Sequence, residues 1–202
     1  TGFGDFSGYG LLLDFDDAAA QSTQTYGLRW TRTIAADPYR FTLGAEAATQ
    51  SDYGNSPTAF DLNYYAANAS VQRGQWRFAL GGELLEGNGA RGFATPLATL
   101  HAFQGWADVF LTTPPDGIRD LNGSVSWIDE TPPHGRALTF TARYHDFSSD
   151  DADADFGSEV DAVANWRINE RWAVEAKAAF FDGEDPRFAD RNKIWLAVEL
   201  SL

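Results

Sequence analysis

The chain of 202 residues contains neither cysteine nor methionine. The absence of cysteine excludes disulfides, thiol nucleophiles and thiolate metal sites. Because translation begins at methionine, a chain that starts with another residue is expected to be a processed protein or a fragment of a longer one. Its first residues lack a basic segment followed by an apolar one, so any signal peptide is expected to have been removed already.

Basic residues are few compared with acidic ones. The chain has 15 Lys and Arg residues against 29 Asp and Glu residues, which gives a formal charge of −14. A chain this acidic is a poor partner for a phosphate backbone, and we therefore expect no nucleic-acid binding. Aromatic residues make up 14% of the chain, a content typical of folded rather than disordered proteins.

Long hydrophobic runs are missing as well. No stretch approaches the ~18 consecutive apolar residues that a membrane-spanning helix needs. This excludes a helical membrane protein and leaves the β-barrel open, because a closed sheet pairs its backbone groups with alternating rather than continuous hydrophobicity. The average hydropathy cannot separate a soluble β protein from a membrane barrel, so the pattern along the chain has to decide.

The sequence does contain a period-two alternation of apolar and polar residues from end to end. Alternation of this kind gives a strand one apolar and one polar face. We predict a single all-β domain over residues 1–202, an antiparallel transmembrane β-barrel with about ten strands. In two of the segments the apolar faces are expected to carry Tyr9, Leu11 and Leu13, and Phe60, Leu62 and Tyr64. The segments are 9–15, 26–31, 39–48, 60–65, 76–81, 120–127, 138–145, 159–166, 172–180 and 193–202.

A soluble β-sandwich also alternates, but two features favour the barrel. Ionised side chains such as Arg29, Arg143 and Glu175 lie mid-segment on the polar faces, where a watery lumen accepts them and a packed sandwich core does not. Aromatic residues also stand at the ends of the apolar faces, as in the aromatic girdles of membrane barrels. These residues are Trp30, Tyr39, Trp76, Trp127, Tyr144, Trp166 and Trp172.

The connections between the predicted strands are alternately short and long, which is a third feature of outer-membrane barrels. If the last strand ends at the periplasm, the short links are periplasmic and every outward link is longer than its short-side neighbours. The expected periplasmic links are 34–38, 72–75, 128–135 and 168–170, and the expected outward links are 16–23, 51–58, 87–117, 147–156 and 183–192.

The longest outward link is rich in apolar and aromatic residues, so we expect it to pack inside the pore or against its rim. It reads RGFATPLATLHAFQGWAD over residues 91–108 and FLTTPPDGIRD over 110–120. Together with YHDF at 144–147, GSEVD at 157–161 and the ending around 190–195, it resembles the C-terminal part of the alginate export family. Members of that family are outer-membrane porins with larger barrels of about eighteen strands, and the best-known one exports the polyanion alginate. The resemblance implies that this chain is the C-terminal portion of such a barrel.

Basic side chains on the polar faces are the candidates for pore lining, because Arg and Lys replace the hydration and counterions of a passing anion. Arg29, Arg77 and Arg143 are expected mid-strand and at one depth, which predicts an electropositive ring and weak anion selectivity. For any single residue, salt bridging along the lumen wall is the simpler interpretation. The basic set is Arg29, Arg40, Arg77, Arg143, Arg167, Lys177 and Lys193, and the acidic set is Glu46, Asp61, Glu83, Glu159, Asp161 and Glu175.

The remaining polar motifs point to no chemistry. In the long loop, Arg91, His101, Trp106 and Asp108 are candidates for holding a plug, and His101 with Asp108 is expected to stabilise the loop's own fold. Residues 151–155 have the acidic spacing of a calcium loop, but two EF-hand anchor positions fail, so we favour a solvated acidic loop; calcium binding by the loop 146–155 stays open as the alternative. His145 and Asp146 are adjacent on a strand and point to opposite faces, which argues against a hydrolytic dyad and an enzyme.

The sequence therefore predicts a passive channel in the outer membrane of a Gram-negative bacterium, with no cofactor. Its expected partners are membrane lipid, lipopolysaccharide and an anionic polysaccharide or small anions. If the strands are part of a larger barrel, the two end strands need upstream strands or a second chain as neighbours. Two alternatives remain open, namely a structural or adhesive barrel plugged by its long loop, and a soluble β-sandwich binding protein.

Overall fold

Ten antiparallel strands form one sheet in which sequence neighbours are also spatial neighbours, in the computed structural model that describes residues 2–97 and 104–201. The all-β prediction is confirmed. His101 lies outside the described residues. The strands are β1 (Asp5–Leu13), β2 (Thr23–Ala36), β3 (Tyr39–Asp52), β4 (Asp61–Arg73), β5 (Trp76–Leu85), β6 (Ile118–Asp129), β7 (Ala137–Ser148), β8 (Asp155–Arg167), β9 (Trp172–Gly183) and β10 (Arg191–Leu200). The described residues include no helix long and apolar enough to cross a membrane.

The sheet is open at its two ends. β1 pairs with β2 and β10 pairs with β9, and within the described residues β1 and β10 do not pair with each other. An open strand edge is not tolerated in lipid, because its peptide groups find no hydrogen-bond partner there. The sheet therefore has the character of a partial barrel, and the neighbour that completes it stays a prediction.

Connection lengths alternate as expected, with one exception. Taken from the strand bounds, the connections at one end of the sheet have 9, 8, 32, 6 and 7 residues, and those at the other end have 2, 2, 7 and 4. The expectation that every outward link is longer than its neighbours is wrong at residues 130–136, which outnumber residues 149–154 by one. We call the two ends the long-loop end and the short-turn end.

One face of the sheet is apolar and exposed. Leu28, Leu80 and Leu196 expose 54%, 73% and 75% of their surface, values that suit contact with lipid and not with water. Aromatic residues on this face gather at the short-turn end, where Trp76 pairs with Trp127 and Trp127 with Phe140. We call this the outer face and its opposite the inner face.

The cross-strand register shows that the inner and outer faces of β1 and β4 are the reverse of those predicted from the sequence. Tyr9 lies opposite Gly27, and Tyr64 opposite Leu85, so both tyrosines belong to the inner face. Leu62 is inside and 2% exposed. The prediction that Asp61 is a lumen acid is wrong. Asp61 lies on the outer face at the rim, where Thr49 Oγ1 donates a hydrogen bond to it at 3.3 Å.

The hydrophobic core of the described residues lies on the inner face at the long-loop end. The long connection returns onto this face, where its residue Phe110 stacks among Phe147, Phe156, Phe181 and Phe188 at ring-centroid distances of 4.8 to 5.8 Å. Aromatic packing of this density stabilises beyond simple area burial. The expectation that the long loop packs inside is met by its described part.

We predict that an arginine is tolerated on the inner face and not on the outer face of the same strand. Leu43→Arg places a second charge beside Arg32 on the lipid face of β3, where an arginine costs up to roughly 2–4 kcal/mol at the bilayer midplane and less towards the interface. The adjacent Thr42→Arg faces inward and is the matched control, with a cost of about 1 kcal/mol or less. Denaturant titration of both variants folded into lipid vesicles measures the difference. Equal destabilisation of the two variants would contradict the assignment of faces.

Candidate functional site

Two adjoining cavities of the inner face share part of their lining, which we call the waist. The cavity towards the long-loop end has a volume of about 270 Å³, and the one towards the short-turn end has about 400 Å³. Neighbouring strands lie ~4.8 Å apart, so a flat sheet would separate β2 from β7 by about 24 Å. Arg29 of β2 and His145 of β7 nevertheless line the same cavity, which shows that the sheet curves around it. The waist is formed by the residues that the two cavities share, Arg29, Glu46, Tyr64, Glu83 and Gln104.

Two tyrosine–glutamate pairs define the wall of the waist. Tyr9 donates its hydroxyl to Glu46 at 2.8 Å, and Arg29 Nε donates to the other oxygen of Glu46 at 2.7 Å. Tyr64 donates to Glu83 at 2.6 Å. Tyr9 can lie this close because Gly27 stands opposite, where a Cβ atom would meet the Tyr9 ring carbon Cζ at 2.2 Å. Tyr9 and Tyr64, which sequence reasoning placed towards lipid, are therefore candidate site residues that it missed.

The long connection crosses the lumen at residues 104–108, which we call the plug segment. Gln104 donates to Glu83 on β5, the Ala107 N–H donates to Glu159 on β8 at 2.8 Å, and Lys193 on β10 forms an ion pair with Asp108. These contacts reach three well-separated strands. Asp108 contacts β10; the expectation that it stabilises the loop's own fold together with His101 stays a prediction, because His101 lies outside the described residues.

Two non-glycine residues of the plug segment have strained backbone conformations. Gln104 and Asp108 have φ values of 50° and 57°, in the left-handed region that non-glycine residues seldom adopt. The side chains of both residues bind the wall, so these contacts offset the strain. Gly105 between them has φ +82° and touches Glu159, where a Cβ atom would approach Oε2 to 2.5 Å.

A buried charge cluster lies beside the plug segment. His145 Nδ1 is 2.9 Å from both oxygens of Asp120, and His145 Nε2 is 3.6 Å from Oδ2 of Asp161. Arg143 stands opposite Asp161 in the β7–β8 register. His145, Asp120 and Asp161 are 3% exposed or less. Asp120 was not among the residues singled out from the sequence, because only the strand register reveals that it faces His145.

The predicted basic residues occupy different depths. Arg29 and Arg143 lie mid-strand and line the larger cavity together. Arg77 is the second residue of β5, next to the short turn, so the expectation that it lies mid-strand with the other two is wrong. Arg40 and Arg77 flank Gln72 in one register row near the short-turn end, and Arg167 ends β8 at the same side.

The other predicted residues are held by local contacts. Lys177 lies over the rings of Trp106 and Trp195 at 5.2 and 5.3 Å and is 4.0 Å from Glu175. The Arg91 guanidinium lies 3.6 Å from the Phe60 ring centroid, and burial there lowers the pKa of Arg91 despite the nearby Asp52.

Within residues 2–97 and 104–201 no group of acidic and histidine side chains has an arrangement that could hold a metal ion.

The long-loop end is tied together outside the membrane by Arg187. Its guanidinium donates to Asp185 at 2.7 Å and to both oxygens of Asp116 at 3.0 and 3.1 Å, which joins the β9–β10 connection to the end of the long connection. Hydrogen bonds from Arg187 hold the pKa of Asp185 below its usual value. This clamp fixes the base of the long connection that carries the plug segment.

Solved structures with this architecture exist, although no model of a known protein family and no curated protein matches the chain. OccK5 (OpdH) of Pseudomonas aeruginosa is similar with a TM-score of 0.67 at 14% identity, covering 89% of this chain and 51% of that chain. OccK9 (OpdG) of the same species has a TM-score of 0.64 at 15% identity, covering 96% of this chain and 54% of that one. OccAB2 of Acinetobacter baumannii has a TM-score of 0.62 at 15% identity, with 88% and 47% covered.

These neighbours are outer-membrane porins. The fold is that of an outer-membrane β-barrel porin. The chain spans about half the length of these neighbours, which agrees with an open ten-stranded sheet. The location expected from the sequence, the outer membrane of a Gram-negative bacterium, fits this porin fold. The finer resemblance to the alginate export family finds no support among the neighbours, which are channels and not enzymes.

We predict that Gly105→Ala increases the ionic conductance of the pore. The new Cβ atom would collide with the Glu159 carboxylate, so the plug segment has to move away from the wall. Gly89→Ala is the matched control, because Gly89 has a similar φ of +79° in the same connection and its Cβ atom would meet nothing closer than 3.8 Å. Single-channel recording in planar bilayers compares the two variants. Unchanged conductance in Gly105→Ala would show that residues 104–108 do not obstruct the conducting path.

Proposed function

We propose that this chain forms part of the wall of a passive pore for small anionic solutes. The proposal rests on which charged side chains of the inner face are exposed and which are buried. The comparison is made on β2 to β9, because each of these strands is paired with a neighbour on both sides. The exposed charged residues there are Arg29, Arg40, Arg77 and Arg167, and the acidic residues are partly or fully buried, namely Glu46, Asp52, Glu83, Asp120, Glu159, Asp161 and Glu175.

The buried carboxylates also have partners that reduce their influence on a passing ion. Glu46 accepts hydrogen bonds from Tyr9 and Arg29, and Glu83 accepts from Tyr64 and Gln104. Arg29 uses Nε for this contact and keeps 60% of its side-chain surface exposed, so its remaining N–H groups are available to a solute. A solute in the lumen therefore meets guanidinium donors before it meets carboxylate oxygens, which favours anions.

The size and lining of the cavity towards the long-loop end indicate the kind of anion. A volume of about 270 Å³ suits a small molecule, and much of the lining between the waist and the long-loop end is apolar. Arg29 lies at the waist end of this cavity. The apolar residues of its lining are Leu11, Leu13, Leu85, Phe93 and Phe110. We propose a solute with an apolar body and one anionic end, which enters with the body against the apolar wall and the charge towards Arg29.

Polysaccharide export, which the sequence resemblance implies, is not part of this proposal. The plug segment fills the space next to the waist and is fixed to β5, β8 and β10, and a polymer chain would have to displace it. Small solutes need only the waist. An adhesive or structural barrel remains the alternative if the plug segment closes the lumen completely, and it would conduct no steady current.

We predict that Arg29→Ala shifts ion selectivity towards cations. The change removes the exposed guanidinium at the waist and leaves Glu46 with Tyr9 as its partner, so both effects act in the same direction. Arg77→Ala at the wide short-turn end should shift selectivity less, since water and salt screen charges beyond about 10 Å. Reversal potentials in a salt gradient measure the shift.

The matched control is Arg32→Ala, which removes an arginine from the outer face of the same strand. Arg32 pairs with Leu43 on that face, and its loss should leave the reversal potential unchanged. A wild-type reversal potential in Arg29→Ala, or an equal shift in Arg32→Ala, would contradict the role of the waist in selecting anions.

A further inference from the structure

The buried cluster beside the plug segment contains more acidic than basic groups. Asp120, Glu159 and Asp161 expose 2%, 0% and 0% of their surface, and Glu83 lies next to them on β5. Inside this cluster the basic partners are Arg143 and His145. Burying an ionised carboxylate without a matched cation is costly, and proteins usually avoid the cost by binding a proton.

His145 lies between two of these carboxyl groups. Each of its two ring nitrogens faces a carboxylate, with Nδ1 at 2.9 Å from Asp120 and Nε2 at 3.6 Å from Asp161. A ring that is charged on both nitrogens satisfies both acids at once, whereas a neutral ring leaves one nitrogen without a proton to donate. The ring also stacks on Phe147 at 5.3 Å, which keeps it in this orientation.

The plug segment is the element that shields this cluster from water. Ala107 donates its N–H to Glu159 and Gln104 donates to Glu83, whereas in the described part of the chain both carboxylate oxygens of Asp161 are buried without a hydrogen-bond partner. Ala107 itself is 0% exposed. If the segment moves away, water reaches all these carboxylates and they ionise without a penalty.

From these observations we propose that the plug segment is a pH-sensitive gate, docked when the cluster holds extra protons and released as the pH rises. The docked state binds more protons than the hydrated state, because burial favours the neutral form of carboxyl groups that outnumber their basic partners. By linkage, acidification favours docking and alkalinisation favours release. Each proton lost on release changes the ratio of docked to released plug about tenfold per pH unit.

Charged groups on the other packed elements do not cancel this excess of acid. Lys177 is stacked on Trp106 and Trp195, and Lys193 is paired with Asp108 of the plug segment itself. Across the larger cavity Arg29 is bound to Glu46. The groups that face His145 and its partners are therefore Glu83 on β5, Asp120 on β6, Arg143 on β7, Glu159 and Asp161 on β8, Lys177 on β9, Lys193 on β10, Asp108 in the plug segment, and Arg29 and Glu46 on β2 and β3.

Single-channel recording from pH 5 to 9, on the protein purified from membranes, tests the gate. We expect the open fraction to rise with pH in the wild type. Asp161→Asn removes one buried acidic group at nearly constant volume, so the rise should move to higher pH or become shallower. His145→Gln removes the basic side chain that lies between Asp120 and Asp161, so the rise should move to lower pH. The control His134→Gln, in the exposed connection after β6, should leave the profile unchanged.

The opposite directions of the two variants separate a charge effect from packing damage, which would open the pore in both. A pH-independent open fraction, an open fraction that rises on acidification, or shifts of the same sign in Asp161→Asn and His145→Gln would each overturn the proposal. The gate is read from open fraction, whereas the anion preference is read from reversal potential, so either can fail while the other holds.

Discussion

Backbone hydrogen bonding is the constraint on which the rest of this structure depends. A peptide group in lipid has no water to bind, so each strand must be paired on both sides. β2 to β9 satisfy this requirement within the chain, and their alternation then puts apolar side chains such as Leu28 and Leu80 on the lipid side and leaves the other face polar. The same requirement makes the free edges of β1 and β10 the places where further strands or another chain must bind.

The inner face carries the features that a soluble protein places in its core. Aromatic side chains around Phe110 pack at the long-loop end, and a buried cluster around His145 lies beneath them. Both depend on the long connection, which brings apolar residues and backbone donors into the lumen. The plug segment contributes Ala107 to this core and Gln104 to the lining of both cavities. Its strained residues Gln104 and Asp108 show how firmly the wall holds it.

The sequence predicted the number of strands, the porin fold and the inward fold of the long connection, because period-two alternation and connection length are local properties. It misplaced Tyr9 and Tyr64, since an inner face with an apolar cavity and an outer face in lipid look alike when only hydrophobicity is counted. It placed Arg77 mid-strand although the predicted segment, like β5, begins at residue 76, so the position of Arg77 beside the short turn could be inferred from the sequence. The contact of His145 with Asp120 follows from the register of β6 and β7, which no single segment encodes.

The inner face of these strands meets water and the outer face meets lipid, and both the site and the proposed pore depend on this assignment. The chain has no cysteine, so single cysteines along β3 can report this directly with a water-soluble maleimide on the protein in lipid bilayers. Cysteines at residues 40, 42 and 46 are predicted to react, and those at 41, 43 and 45 to stay unmodified. Equal reaction at all six positions, or reaction confined to 41, 43 and 45, would contradict a porin wall built in this way.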